Sequence, residues 1–184
     1  MVTGIATNRL PARNDAAESA ILAAIWRALA DVADPELPTV SIVELGIVRD
    51  VARVGDEWIV TVTPTYSGCP ATRIIESDIR TTLAAIGENV RIVTALAPAW
   101  TTDWIAPEGR QKLRDAGIAP PHPVTREGWL DSQPITFARS RPAVRCPNCG
   151  SLKTAELARF GSTPCKAQYR CGECLEPFDL FKAH

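Results

Sequence analysis

The chain reads as an α+β protein, with a small N-terminal domain ordered helix, strand, strand, helix, strand and a small C-terminal β zinc ribbon. Three observations predict this. Apolar residues recur every three to four positions in two segments, valine and isoleucine cluster in three others, and two C-x-x-C pairs fall between Cys146 and Cys174.

Residues 1 to about 15 carry Pro11 and no period, so they read as a loose tail. From Ala16 to Val32 the apolar set Ile21, Ala24, Ile25, Ala28, Leu29 and Val32 lies on one helical face, behind Asn14 and Asp15 as candidate caps. Asp34-Pro35-Glu36-Leu37-Pro38 ends that helix, because proline lacks an amide hydrogen and restricts the residue before it. A rigid acidic turn is expected there. Ile42 to Val54 and Glu57 to Pro64 read as antiparallel strands joined at Gly55-Asp56. Tyr66-Ser67-Gly68-Cys69-Pro70 breaks the second strand, and Gly68 is expected to allow close approach of the backbone. Ala71 to Ile86 repeats Ile75, Ile79, Leu83 and Ile86 at helical spacing before Gly87 closes the helix. Val90 to Leu96 is the third strand, and the domain is bounded at 16–97.

The composition changes over 98–142, which is rich in proline and holds Trp100, Trp104 and Trp129 with one helix-like run from Glu108 to Ala116. This segment is read as a connector. Its tryptophans either pack it onto a domain or meet a partner. Residues 143–184 form a unit too short to hold a hydrophobic core without a staple.

Composition narrows the function classes. The 184 residues are 46% hydrophobic and 22% charged, with a formal net charge of -1, which excludes wholesale disorder and argues against a general nucleic-acid or membrane-surface binder. No apolar run approaches the ~20 residues of a bilayer span, and the N-terminus lacks the build of a signal peptide, so a cytoplasmic location is expected. In a reducing compartment, clustered cysteines point to metal rather than to disulfides.

Cys146-Pro-Asn-Cys149 and Cys171-Gly-Glu-Cys174 are separated by 21 residues and supply four thiolates for one ion. Structural zinc is the first choice, and iron in a rubredoxin-like site would use the same ligands. Six basic and four acidic residues from Val144 to His184 make the ribbon only mildly basic, too little for a nucleic-acid contact. A folding staple or docking module fits better. Cys165 stands outside both pairs, as a small buried hydrophobe, a spare thiol or an auxiliary metal ligand. Cys69 stands between a strand and a helix start, where unpaired amides and the helix dipole stabilise a thiolate. Position alone leaves a reactive or ligating Cys69 and an inert, buried one equally open.

Asp34-Pro-Glu-Leu-Pro38, Leu45-Gly46-Ile47-Val48 and Gly68-Cys69-Pro70 together resemble the signature of SufT-like iron-sulfur assembly domains, covering residues 16 to about 97. Pro64 to Thr72, Ala97 to Trp104 and Phe160 to Ala167 extend the resemblance over nearly the whole chain, to the PaaD (PaaJ) family of the phenylacetate degradation cluster. That resemblance implies a non-catalytic accessory of the phenylacetyl-CoA 1,2-epoxidase system, assisting maturation of an iron-sulfur or iron centre. The alternative is a structural or adaptor subunit of the oxygenase complex. The implied partners are the reductase and oxygenase components, with no nucleic acid and no membrane, and homo-oligomerisation stays open. Cys69 would take a transient iron or iron-sulfur cluster, Asp34 and Glu36 would match the family's acidic turn, and Cys146, Cys149, Cys171 and Cys174 would hold zinc. Relatives often end in F-K-C, whereas this chain ends Phe181-Lys182-Ala183-His184 and so lacks that thiol. The thiol is read as dispensable, and His122, in Pro-Pro-His-Pro, as a loop residue.

Overall fold

A computed structural model describes residues 15–66, 68–121 and 143–182. Helix α1 (Asp15–Ala30) is followed by strands β1 (Val48–Val54) and β2 (Glu57–Val62), helix α2 (Thr72–Ala84) and strand β3 (Val90–Thr94). β1 and β2 pair antiparallel through a turn at Gly55, whose φ of +64° favours glycine. β2 pairs parallel with β3, because α2 carries the chain back across the sheet before it re-enters. Trp58, Val60 and Val62 alternate into the core from β2. Ile25 and Leu29 of α1, and Ile75, Ile79 and Leu83 of α2, meet them there.

The expected first strand is shorter than its apolar run. Ile42 to Ile47 forms consecutive turns, because Ser41 and Glu44 cap each other: the Ser41 amide donates to Glu44 Oε2 at 2.9 Å and the Glu44 amide to Ser41 Oγ at 3.2 Å. Ile42, Leu45 and Ile47 are all buried without alternation, which a two-faced strand does not permit. Gly68 is not crowded either, since a Cβ there would meet only the Tyr66 ring at 3.8 Å.

Residues 98–121 build structure of their own. A 3-10 turn (Thr102–Trp104), helix α3 (Pro107–Asp115) and the short strand β4 (Ile118–Ala119) follow β3. Strands β5 (Thr154–Ala158), β6 (Lys166–Cys171) and β7 (Pro177–Phe181) then form a second sheet ordered β4-β7-β6-β5, so the segment after the first domain donates an edge strand to the ribbon. Trp100 is buried, donates its indole N–H to the Leu45 carbonyl at 3.0 Å and meets Phe181 edge-on with ring centroids 6.1 Å apart. Trp104 is half-buried beneath the Arg49 guanidinium, and Trp129 lies outside the described residues.

Phe181 and Cys165 of the ribbon belong to the same hydrophobic cluster as α1, α2 and the first sheet. A smaller cluster, including Val144, Ala167, Tyr169 and Phe178, backs the ribbon sheet. No helix among the described residues is long and apolar enough to cross a membrane.

Candidate metal centre and a thiol site between the two sheets

The sulfurs of Cys146, Cys149, Cys171 and Cys174 all lie within 4.8 Å of one another. Each pair is turned inward by its own backbone. The Gly150 amide donates to the Cys146 carbonyl at 2.9 Å with Gly150 at φ +77°, and the Cys171 amide donates to the Glu176 carbonyl at 3.0 Å. Sulfur separations of 3.5 Å (Cys149 to Cys171) and 3.8 Å (Cys146 to Cys174) match the edge of about 3.8 Å that a tetrahedron with ~2.3 Å zinc-sulfur bonds requires. The amides of Cys174 and Glu173 lower the Cys171 thiol to about 6. Although the Glu176 amide acts to lower Cys174, burial and the neighbouring sulfurs push that thiol up to about 12. Four sulfurs this close cannot all ionise without a cation between them. The donor set therefore fits a closed, thiolate-rich metal site.

A second constellation forms where the acidic turn meets the ribbon. Asp34, buried, accepts from the amides of Glu36 at 2.8 Å and Leu37 at 2.9 Å, so it shapes the turn and does not point outward. Burial raises its pKa, against the two amides. The turn in turn directs Glu36 to the ribbon, where the Cys165 thiol donates to Glu36 Oε2 at 3.0 Å and Thr163 Oγ1 lies 3.0 Å from the same sulfur. Burial, with the carboxylates of Glu36 and Asp34, pushes the Cys165 thiol up to about 12, while the Thr163 hydroxyl acts the other way. Lys166 Nζ reaches the Glu36 carbonyl at 3.4 Å.

Cys69 lies at the entrance to α2, where its carbonyl accepts from the Thr72 amide at 3.3 Å, and it is partly exposed. It packs with Tyr66 against the main core. Burial, followed by the neighbouring Cys69, Glu36 and Cys165 and a hydrogen bond with Cys69, pushes the Tyr66 phenol up to about 12. Sequence reasoning named Cys69, Asp34, Glu36 and Cys165 separately and missed Thr163 and Tyr66. The signal was there in the words P-T-Y-S-G-C and F-G-S-T-P-C, but not the pairing of residues 129 positions apart. Ala183, His184 and His122 lie outside the described residues.

An α+β domain with a cysteine at a helix entrance, fused to a four-thiol ribbon, defines the class as an iron-sulfur assembly-type domain carrying a zinc ribbon. Residues 22–94 match the family described as iron-sulfur cluster assembly protein, and residues 131–182 match the PaaD zinc beta ribbon domain. The D component of the putative 1,2-phenylacetyl-CoA epoxidase of Escherichia coli (strain K12) is 45% identical over 159 residues, spanning 86% of this chain and 90% of that protein. The chain belongs to the PaaD family. Its first domain is also similar to the Fe-S protein maturation auxiliary factor YitW of Bacillus subtilis (strain 168), 38% identical over 89 residues, covering 47% of this chain and 86% of that protein. The crystal structure of a domain of unknown function, DUF59, from Bacillus anthracis superposes with a TM-score of 0.50 at 29% identity, covering 54% of this chain and 97% of that one.

Proposed function

We propose that this chain is a non-catalytic accessory of a phenylacetyl-CoA-epoxidising monooxygenase, assisting maturation of its iron-sulfur or iron centre. The observation that carries this reading is a partly exposed Cys69 at the entrance of α2, on a domain of the iron-sulfur assembly family. Cys69 receives iron or a cluster in transit. Cys146, Cys149, Cys171 and Cys174 hold zinc, whose closed sulfur shell supplies folding energy and leaves no open position for chemistry. The reductase and oxygenase components are the clients, in keeping with the name of the Escherichia coli relative. The cytoplasm is the compartment in which unpaired thiols and such clients meet.

Co-expression of Cys69→Ser with the epoxidase components tests this. Cluster and iron content of the purified components is expected to fall several-fold, whereas full loading would reject the mechanism. An adaptor role is favoured by the exposed Leu152, Leu157, Phe160 and Leu175 on the ribbon. Full loading in Cys69→Ser together with stable co-elution of the chain with the mature oxygenase would establish it instead.

A further inference from the structure

The two cysteine knuckles of the ribbon make the same turn with different residues. Each takes a left-handed backbone directly after its second cysteine, and Gly150 supplies it in the first, at φ +77°. In the second knuckle that place is held by Leu175, at φ +65°. Among the described residues it is the one non-glycine residue with a positive φ. A bulky side chain is strained there, because its Cβ crowds the following carbonyl oxygen, and glycine would relieve the strain. Burial does not offset it, since Leu175 is 60% exposed.

Leu152 and Leu157, 51% and 57% exposed, line with Leu175 an open groove of about 530 Å³ beside β5. Leu157 stands at a bulge, between the pairs Glu156 with Tyr169 and Ala158 with Gln168, and so has no partner across the ladder. Two local irregularities thus present apolar side chains to one groove. Lys153 and Arg170 line it too, and no acidic residue is among those that do. Lys153 pairs with Glu173, whereas Arg170 donates its Nε to the neutral Leu175 carbonyl at 3.1 Å.

We propose that this groove docks an acidic segment of an epoxidase component, with apolar anchors seated among Leu152, Leu157 and Leu175 and carboxylates facing Lys153 and Arg170. The charge decides the occupant. A second copy of the chain laid face to face on the groove would set two cationic rims together, whereas an acidic partner is attracted. Leu175 is the central anchor, and a partner that covers its side chain offsets the strain of displaying it. The inference takes the epoxidase components as clients from the proposed function, and it requires no metal at Cys69.

Biolayer interferometry of the zinc-loaded full chain against the purified reductase and oxygenase components, each in turn and at low and high salt, tests this. The wild type is expected to bind one of them, more weakly at high salt. Asparagine tolerates the left-handed turn, so Leu175→Asn is expected to keep its zinc and melt no lower than the wild type. It is expected to weaken binding by more than ~10-fold, as loss of a buried anchor does. A lowered melt with unchanged binding would give Leu175 a purely structural role and overturn the proposal. So would salt-independent binding, or binding to neither component. A wild-type dimer in sedimentation that Leu175→Asn abolishes would seat a second copy in the groove instead, and overturn it likewise. Cys69→Ser is expected to bind as the wild type does, so docking and cluster delivery fail separately; loss of binding in Cys69→Ser alone would overturn the groove. If Leu175→Asn both melts lower and loses binding, Leu157→Ser decides: weakened binding supports the groove, and wild-type binding overturns it.

Discussion

Asp34 illustrates how a buried carboxylate in a turn acts through its neighbours. Its Oδ1 accepts from the amides of both Glu36 and Leu37, and so positions Glu36. Asp34→Ala leaves both amides without that acceptor and is expected to cost about 1–2 kcal/mol. Asp34→Asn keeps an acceptor oxygen and is expected to cost less. The pH dependence follows from the raised pKa, whose main cause is burial. A folded-state pKa above that of the unfolded chain means the fold holds this proton more tightly. The Asp34 contribution is thus full below the unfolded pKa and is lost as pH rises through the folded one. Denaturant melts of the wild type and Asp34→Asn across the acidic range check this: the asparagine variant should gain stability relative to the wild type as pH rises, and parallel curves would contradict it.

The turn segment between α1 and β1 shows why the Leu45-Gly46 word is needed. Gly46 has φ +69°, and a Cβ built there would come 2.5 Å from the Trp104 carbonyl oxygen and 2.7 Å from its Cβ. Glu44 in the same turn pairs with Lys112 of α3 at 2.7 Å, and its carbonyl accepts from the Ala106 amide at 2.8 Å. Backbone strain and a steric clash therefore act at one position. Gly46→Ala is expected to destabilise by about 2–4 kcal/mol, measured by urea unfolding, and to loosen the segment after β3. In contrast, nothing lies within 4 Å of a Cβ at Gly55, where substitution costs only the strain of a positive φ.

Across the whole molecule, Trp100 and Phe181 join the halves. Trp100→Ala removes a buried ring, its hydrogen bond to Leu45 and its contact with Phe181, and is expected to cost about 3–5 kcal/mol. A thermal melt equal to that of the wild type would show that the two sheets are not coupled through this residue. The four-thiol site acts from the other end. One metal per chain is expected by elemental analysis, and a strong chelator should unfold the ribbon, since a site of four thiolates binds with folding energy the short segment lacks. Because Phe181 and Cys165 sit in the main core, stripping should also lower the melting temperature of the first domain. An unchanged melt of that domain after complete metal loss would refute the coupling.

Much of this was legible in the chain of residues itself. Helical spacing at Ile75, Ile79 and Leu83 specifies the buried face of α2, because a helix repeats its orientation every 3.6 residues whatever it packs on. The C-x-x-C pairs likewise announce their convergence, since each knuckle aims its sulfurs by local backbone geometry. Ile42 to Ile47 misled by composition, because mutual capping by Ser41 and Glu44 competes with strand pairing, and β propensity does not register it. Trp100 was visible as a packing residue but not as the link between Leu45 and Phe181. The approach of Glu36 to Cys165 was beyond any local pattern: it depends on how the ribbon seats on the first domain, through apolar contacts that carry no directional code in sequence. Periodicity and spacing thus determined the elements and the metal knuckles, while the pairing of the Cys165 thiol with the Glu36 carboxylate came from the packing of the ribbon onto the first domain.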